Sequence, residues 1–242
     1  MRAGPHRPVR LGSRHSAFLL GHLRRELDAF RACLGGDLSV PVEHCGDWTL
    51  RALAEHLGRG NLWAATAVTE GHGHGGYAAV PEEPEAARWF QETSATLLDA
   101  LDTDPSTPAW TFHPPNTVGF WQRCRCLETV VHRWDAEHAL GTVRPIDAEL
   151  AGDGVAEVFE VPAPRMVARG RTAPPGYALR LTATDTGASW TYGPGVPVAA
   201  VSATAENLLL MLWRRLPADG EAFAWEGDRA AGRRVLDGPL VP

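Results

Sequence analysis

Residues 119–140 read GFWQRCRCLETVVHRWDAEHAL and stop at Gly141. The spacing predicts one long helix with a glycine stop. At about 100° per residue, Glu128 and His132 lie about 40° apart, and Asp135 falls about 20° to the other side of Glu128. The apolar strip Leu127, Val131 and Trp134 runs immediately beside them. The polar trio therefore borders a core.

Three amphipathic helices precede it. Leu19, Leu23, Leu27, Phe30 and Leu34 recur at three- and four-residue steps up to Gly35-Gly36, a helical period. After a loop with Pro41 and Cys45, Asp47 or Thr49 can cap a helix over Leu50–Val68. The Gly/His/Pro-rich stretch Glu70–Pro84 predicts an exposed loop, and Glu85–Leu101 a third helix burying Trp89, Phe90, Thr93, Leu97 and Leu101. A Pro-punctuated loop, Asp104–Pro115, leads into the fourth. Such a set predicts a four-helix bundle.

The texture changes near Arg144-Pro145. Ile146–Glu160 predicts one more helix, running into Pro-rich Val161–Pro164. Tyr177–Thr184 and Ala188–Tyr192, joined by Asp185-Thr-Gly187, predict a hairpin. Val198–Ser202 and Ala222–Trp225 predict further strands, with helices over Ala205–Arg215 and Asp228–Leu236. The expected fold class is α+β: a disordered basic tail over 1–13, a helical bundle over 14–144, and a smaller α+β domain over 145–242.

The chain has 242 residues with 23 basic and 29 acidic side chains, a formal net charge of −6. Every basic residue is arginine, which excludes Schiff-base and P-loop lysine chemistry. No basic patch or stripe suggests nucleic-acid binding. No run approaches the about eighteen apolar residues of a membrane span, and no apolar core of a signal peptide follows the N-terminus. Cys33, Cys45, Cys124 and Cys126 fit neither a disulfide framework nor a zinc ribbon. They read as small core residues in a reducing cytoplasm, with no nucleic-acid or membrane partner expected. Neither a Gly-x-Ser-x-Gly elbow, a His-Glu-x-x-His pair nor a nucleotide fingerprint occurs.

His56 lies inside the second helix between Leu53 and Leu57, on the side of Ala52, Gly60, Trp63 and Ala67. Small residues there leave room for a ligand or a close helix. Inward-facing imidazoles and carboxylates on different helices are how bundles build metal sites. Two His and one Glu make a zinc site with an open fourth position, and Ni²⁺ or Fe²⁺ accepts similar ligands. His72-Gly-His74 reads as a solvated loop tip, His22 and His138 as helix-surface residues, and Trp110, Trp121, Trp190, Trp213 and Trp225 as packing residues.

Two of these segments carry a resemblance. Asp47-Trp-Thr-Leu-Arg-Ala-Leu-Ala-Glu-His-Leu-Gly58 and Glu128-Thr-Val-Val-His-Arg-Trp-Asp-Ala-Glu137 resemble the corresponding helices of the mycothiol-dependent maleylpyruvate isomerase family. Its N-terminal domain is a DinB-like metal-binding bundle. Ala205–Pro217 followed by Trp225-Glu-Gly-Asp228 resembles the sterol-carrier-like C-terminal domain of that family. The resemblance implies that His56, Glu128 and His132 are metal ligands. Asp135 matches a position next to the site, either orienting a ligand or pairing with Arg133 or Arg51. Arg215 matches the arginine of a Trp-Gly-Arg-Leu-Pro segment, which implies a catalytic role. This chain has Arg214 in place of the glycine. Trp63, two turns from His56, is the expected contact for the thiol cosubstrate.

The implied chemistry uses a divalent metal, zinc by the ligand set, and mycothiol, a low-molecular-weight thiol. A free thiol of ordinary acidity is only about 3% thiolate at pH 7, whereas a zinc-coordinated thiol is deprotonated outright. The expectation is a cytoplasmic isomerase or S-transferase that adds the thiol to a small electrophile. The alternative is a non-catalytic metal- or thiol-binding module.

Overall fold

The computed structural model describes residues 12–74 and 85–242. The expected tail lies outside the described residues over 1–11, as does the 75–84 part of the expected loop. The chain divides into two compact units, Met1–Arg144 and Pro145–Pro242.

The first unit holds α1 (Ser13–Ala32), α2 (Leu50–Thr69), α3 (Ala86–Leu101) and α4 (Val118–Ala139). Helix α1 packs chiefly on α4, and α2 on α3. Leu19, Leu23, Phe30, Leu53, Leu57, Phe90, Leu97 and Trp121 are fully enclosed, each contributing about 1.5–3 kcal/mol of burial. Helix α4 touches all three other helices and is buried over most of its surface between Val118 and Glu137, with Arg123, Cys124 and Glu128 half-buried. That explains how a helix carrying many charges sits inside: its polar groups pair there. Arg133 donates to Glu26 and Glu137, and Glu137 also accepts from Arg144. One surface expectation fails. His22 is buried, because its ring packs at 4.4 Å from Phe18 on a helix flush against α4.

The second unit opens with α5 (Ala148–Glu160), capped by Asp147, whose carboxylate accepts from the amides of Glu149 and Leu150. The helix ends at Glu160 as expected, and the Pro-rich stretch it runs into starts another, α6 (Pro162–Ala168), with Pro162 at its first position. Proline lacks an amide that the first turn would leave unpaired, so it fits there. Strands β1 (Ala178–Ala183), β2 (Ser189–Tyr192), β3 (Pro197–Ala203) and β4 (Ala224–Gly227) form one sheet in the order β2-β1-β3-β4. The β1–β2 hairpin is antiparallel, and β1 runs parallel to β3. Helix α7 (Ala205–Leu212) packs on α5, and α8 (Arg229–Leu236), capped by Asp228, packs on β3. Bundle plus four-stranded α+β unit is the expected fold class. Among the described residues, no helix is long and apolar enough to cross a membrane.

The end of α7 explains the position where this chain carries Arg214. The amide of Arg214 donates to Met211 and that of Arg215 to Leu210, the paired bonds of a left-handed helix stop. Arg214 has φ +62°, so the turn keeps a glycine geometry without the glycine. A left-handed non-glycine residue costs about 1–2 kcal/mol. Arg214→Gly should therefore stabilise the second unit by about 1 kcal/mol, although it loses the exposed bond from Arg214 to the Asp237 carbonyl. A urea midpoint that stays put or falls would contradict this account of the turn.

Candidate metal centre

The site begins in the loop before α2. Pro41 and Thr49 bridge in antiparallel fashion, and the Val42 amide donates to the Trp48 carbonyl at 2.9 Å. The loop thus folds back on itself and returns Cys45 and Trp48 to the bundle. Thr49 then caps α2 by accepting from the Ala52 amide, a contribution of about 1 kcal/mol. Two turns into α2, His56 projects toward α4. The Trp48 ring lies 4.9 Å from its ring on one side, and the His132 ring lies edge-on at 5.2 Å on the other.

Glu128 and His132 meet it from α4, one turn apart, as the helical phase requires. His56 Nε2 stands 2.9 Å from Glu128 Oε1. One ligand-type atom from each of His56, Glu128 and His132 lies within 4.8 Å of the others. Asp135, fully enclosed, accepts from His132 Nδ1 at 2.9 Å. The same Asp135 oxygen accepts from the Cys45 thiol at 3.5 Å. Burial drives the His132 pKa below its ordinary value, outweighing the opposing pull of Asp135, so His132 sits as a neutral imidazole.

The residue that sequence reasoning missed is Arg125. It is 1% exposed, and one guanidinium nitrogen donates to Glu128 Oε2 at 2.6 Å. The other donates to the Leu57 carbonyl and to Asn61 Oδ1. Burial alone would raise the Glu128 pKa, but Arg125, joined by the hydrogen bond from His56, holds the carboxyl well below the usual carboxylate range. Arg125 fills the space beside Gly60, where a Cβ would lie 2.6 Å from its Nη1. The gap expected to admit a ligand or a close helix is occupied by this guanidinium. Arg125 stands three residues before Glu128 on the same helix, and Asn61 is a polar residue on the core side of α2. Those are the only signals the sequence carries for it.

Trp63 lies farther along α2. Its indole donates to the Gly73 carbonyl at 3.0 Å, and its ring stacks on Phe112 and meets Trp110 and Trp121 edge-on. Arg215 belongs to the second unit. Its guanidinium donates to the Trp213 carbonyl at 2.7 Å and lies over the Trp213 ring. The structure thus brings together His56, Glu128, His132 and Asp135 and adds Arg125, Cys45 and Trp48. Trp63 sits in an aromatic cluster of its own.

The donor set fits a divalent metal. Two imidazoles and a carboxylate are zinc ligands. Donors around a tetrahedral ion of that size stand about 3.3 Å apart, within the spread seen here. His132 gives Nδ1 to Asp135 and so keeps Nε2 as its lone-pair nitrogen, the carboxylate–histidine arrangement common behind metal ligands.

Residues 20–137 match the model of the mycothiol maleylpyruvate isomerase N-terminal domain, and residues 149–234 match the MDMPI C-terminal domain. None of the curated proteins compared with the chain matches it. Among solved structures, the crystal structure of the mycothiol-dependent maleylpyruvate isomerase is similar, with TM-score 0.64 and 16% identity over 87% of this chain and 92% of that one. So is the structure of a histidine-to-alanine mutant of the same enzyme, with TM-score 0.61 and 15% identity over 81% of this chain and 87% of that one. At these identities the likeness is one of fold.

Proposed function

The chain belongs to the mycothiol-dependent maleylpyruvate isomerase family by both of its domains, and we propose from that premise that it is a thiol-dependent enzyme centred on His56, Glu128 and His132. Its reaction is isomerisation of, or thiol transfer to, a small electrophile, with mycothiol as the thiol. The observation that carries this reading is the convergence of two imidazoles and one carboxylate from α2 and α4. His56, Glu128 and His132 would hold a divalent ion there, zinc by its ligand chemistry, which would supply Lewis acidity that lowers the pKa of a thiol.

The remaining work falls to the chain. Arg125 keeps Glu128 ionised and holds Oε2 to itself, which leaves Oε1 facing His56. It also cancels the carboxylate charge, so the centre stays attractive to an incoming thiolate. Asp135 fixes the tautomer and the ring angle of His132. Trp48 covers His56 and limits water on that side. None of the four cysteines is disulfide-bonded.

Asp135→Asn keeps the side-chain shape but can present its amide NH₂ to His132 and favour the wrong tautomer. It should lower metal affinity or turnover about 10- to 100-fold, with little change in the circular dichroism spectrum. Wild-type activity in that variant would remove Asp135 from the machinery. The reading as a whole is tested by mycothiol consumption with maleylpyruvate and a panel of epoxide and alkylating electrophiles. Turnover that is lost on chelation and restored by metal supports it. Metal uptake with no turnover of any electrophile would leave a binding module instead.

A further inference from the structure

A second group of donors stands at the C-terminal end of α4, outside the centre described above. Glu43, His44 and His138 each offer one ligand-type atom within 4.8 Å of the others. His138 Nε2 lies 3.0 Å from Glu43 Oε2. The ring of His138 is stacked on Trp134 at 4.7 Å and 7°, and Trp134 is buried, so this ring has a fixed platform. His44 packs against both, at 5.4 Å from His138 and 5.8 Å from Trp134. An exposed carboxylate–imidazole pair alone contributes little. Here a second imidazole converges on the same pair, so three donor groups from two elements meet at one point.

We propose that Glu43, His44 and His138 form a second divalent-metal site, which staples the loop before α2 to the end of α4. Two His and one Glu suit Zn²⁺, Co²⁺, Ni²⁺ or Cu²⁺. The site also lies at a helix C-terminus, where exposed carbonyls favour a cation. Its ligands come from both partners of one joint: Glu43 and His44 from the loop, His138 from α4. The same loop carries Cys45 to Asp135 and Trp48 to His56. Occupancy of the outer site therefore restrains the segment that covers the inner centre. The inference stands on this geometry and does not need the enzymatic reading.

The test is calorimetric titration of the tag-free, chelator-treated full chain with Zn²⁺ and Co²⁺ near neutral pH. The expected result is two equivalents in wild type, one in His138→Gln and in Glu43→Gln, and two in the His72→Gln/His74→Gln double variant. His56→Ala should keep the outer equivalent. Hydrogen exchange of amides 43–48 should slow about 10-fold on filling the outer site in wild type and not in His138→Gln. Wild-type stoichiometry that His138→Gln leaves unchanged would overturn the site. So would a second equivalent that disappears in the His72→Gln/His74→Gln variant. Binding without slower exchange would overturn the staple. Loss of one equivalent in His138→Gln but none in His56→Ala would uphold the outer site while removing the inner one, so the two assignments fail separately.

Discussion

His132→Ala should lower metal affinity by more than about 100-fold, because removing a ligand exceeds the 10- to 100-fold cost of losing a partner behind one. Mycothiol-dependent turnover should fall with it. The variant also leaves the enclosed Asp135 carboxylate without the imidazole it pairs with, so some stability is lost as well. His132→Gln separates the two effects: it fills most of the volume and returns a donor toward Asp135 but lacks the imidazole geometry. Both variants should remain helical by circular dichroism and be deficient in metal. Full metal stoichiometry and wild-type turnover in both would remove His132 from the ligand set.

Arg125→Met should destabilise the bundle strongly. It leaves Glu128 Oε2, the Leu57 carbonyl and Asn61 Oδ1 without the donors they use. Removing one partner of a buried ion pair costs about 3–5 kcal/mol. Glu128 retains 24% exposure and the bond from His56, which places the expectation near about 3 kcal/mol. For a chain of this size that lowers Tm by roughly 6–12 °C. Arg125→Lys should recover part of the loss, since it restores a charge but not the fork of two nitrogens. A Tm within about 2 °C of wild type for Arg125→Met would mean that the buried guanidinium is worth far less than its contacts suggest.

The contrast between Glu128 and Arg125 marks what a sequence can and cannot say about this site. Glu128, His132 and Asp135 share one helix, so their common face follows from the helical period alone. His56 joins them through a second helix, and there the family motifs supplied the pairing. Arg125 looks like any surface arginine along α4. Its burial depends on the missing side chain of Gly60 and on Asn61, both across a helix–helix contact that periodicity does not encode. Cys45 and Trp48 escaped for a related reason: their approach depends on how residues 42–48 fold back. In the second unit the hairpin and both flanking strands were legible from alternation and turn residues. The parallel pairing of β1 with β3 was not, because β2 lies between them in the chain. The short helix α6, which Pro162 opens, carries too few residues for a helical period to announce it.

In the proposed centre His56, Glu128 and His132 would hold a divalent ion whose remaining position takes the thiol. Zinc K-edge X-ray absorption on the His138→Gln variant carrying one equivalent of zinc, before and after mycothiol, tests this arrangement at the inner centre alone. The expected spectrum has a nitrogen/oxygen shell at about 2.0–2.1 Å with imidazole scattering, and one sulfur at about 2.3 Å that appears only with the thiol. A shell that mycothiol leaves unchanged, or a sulfur already present before it is added, would rule out thiol binding at this ion.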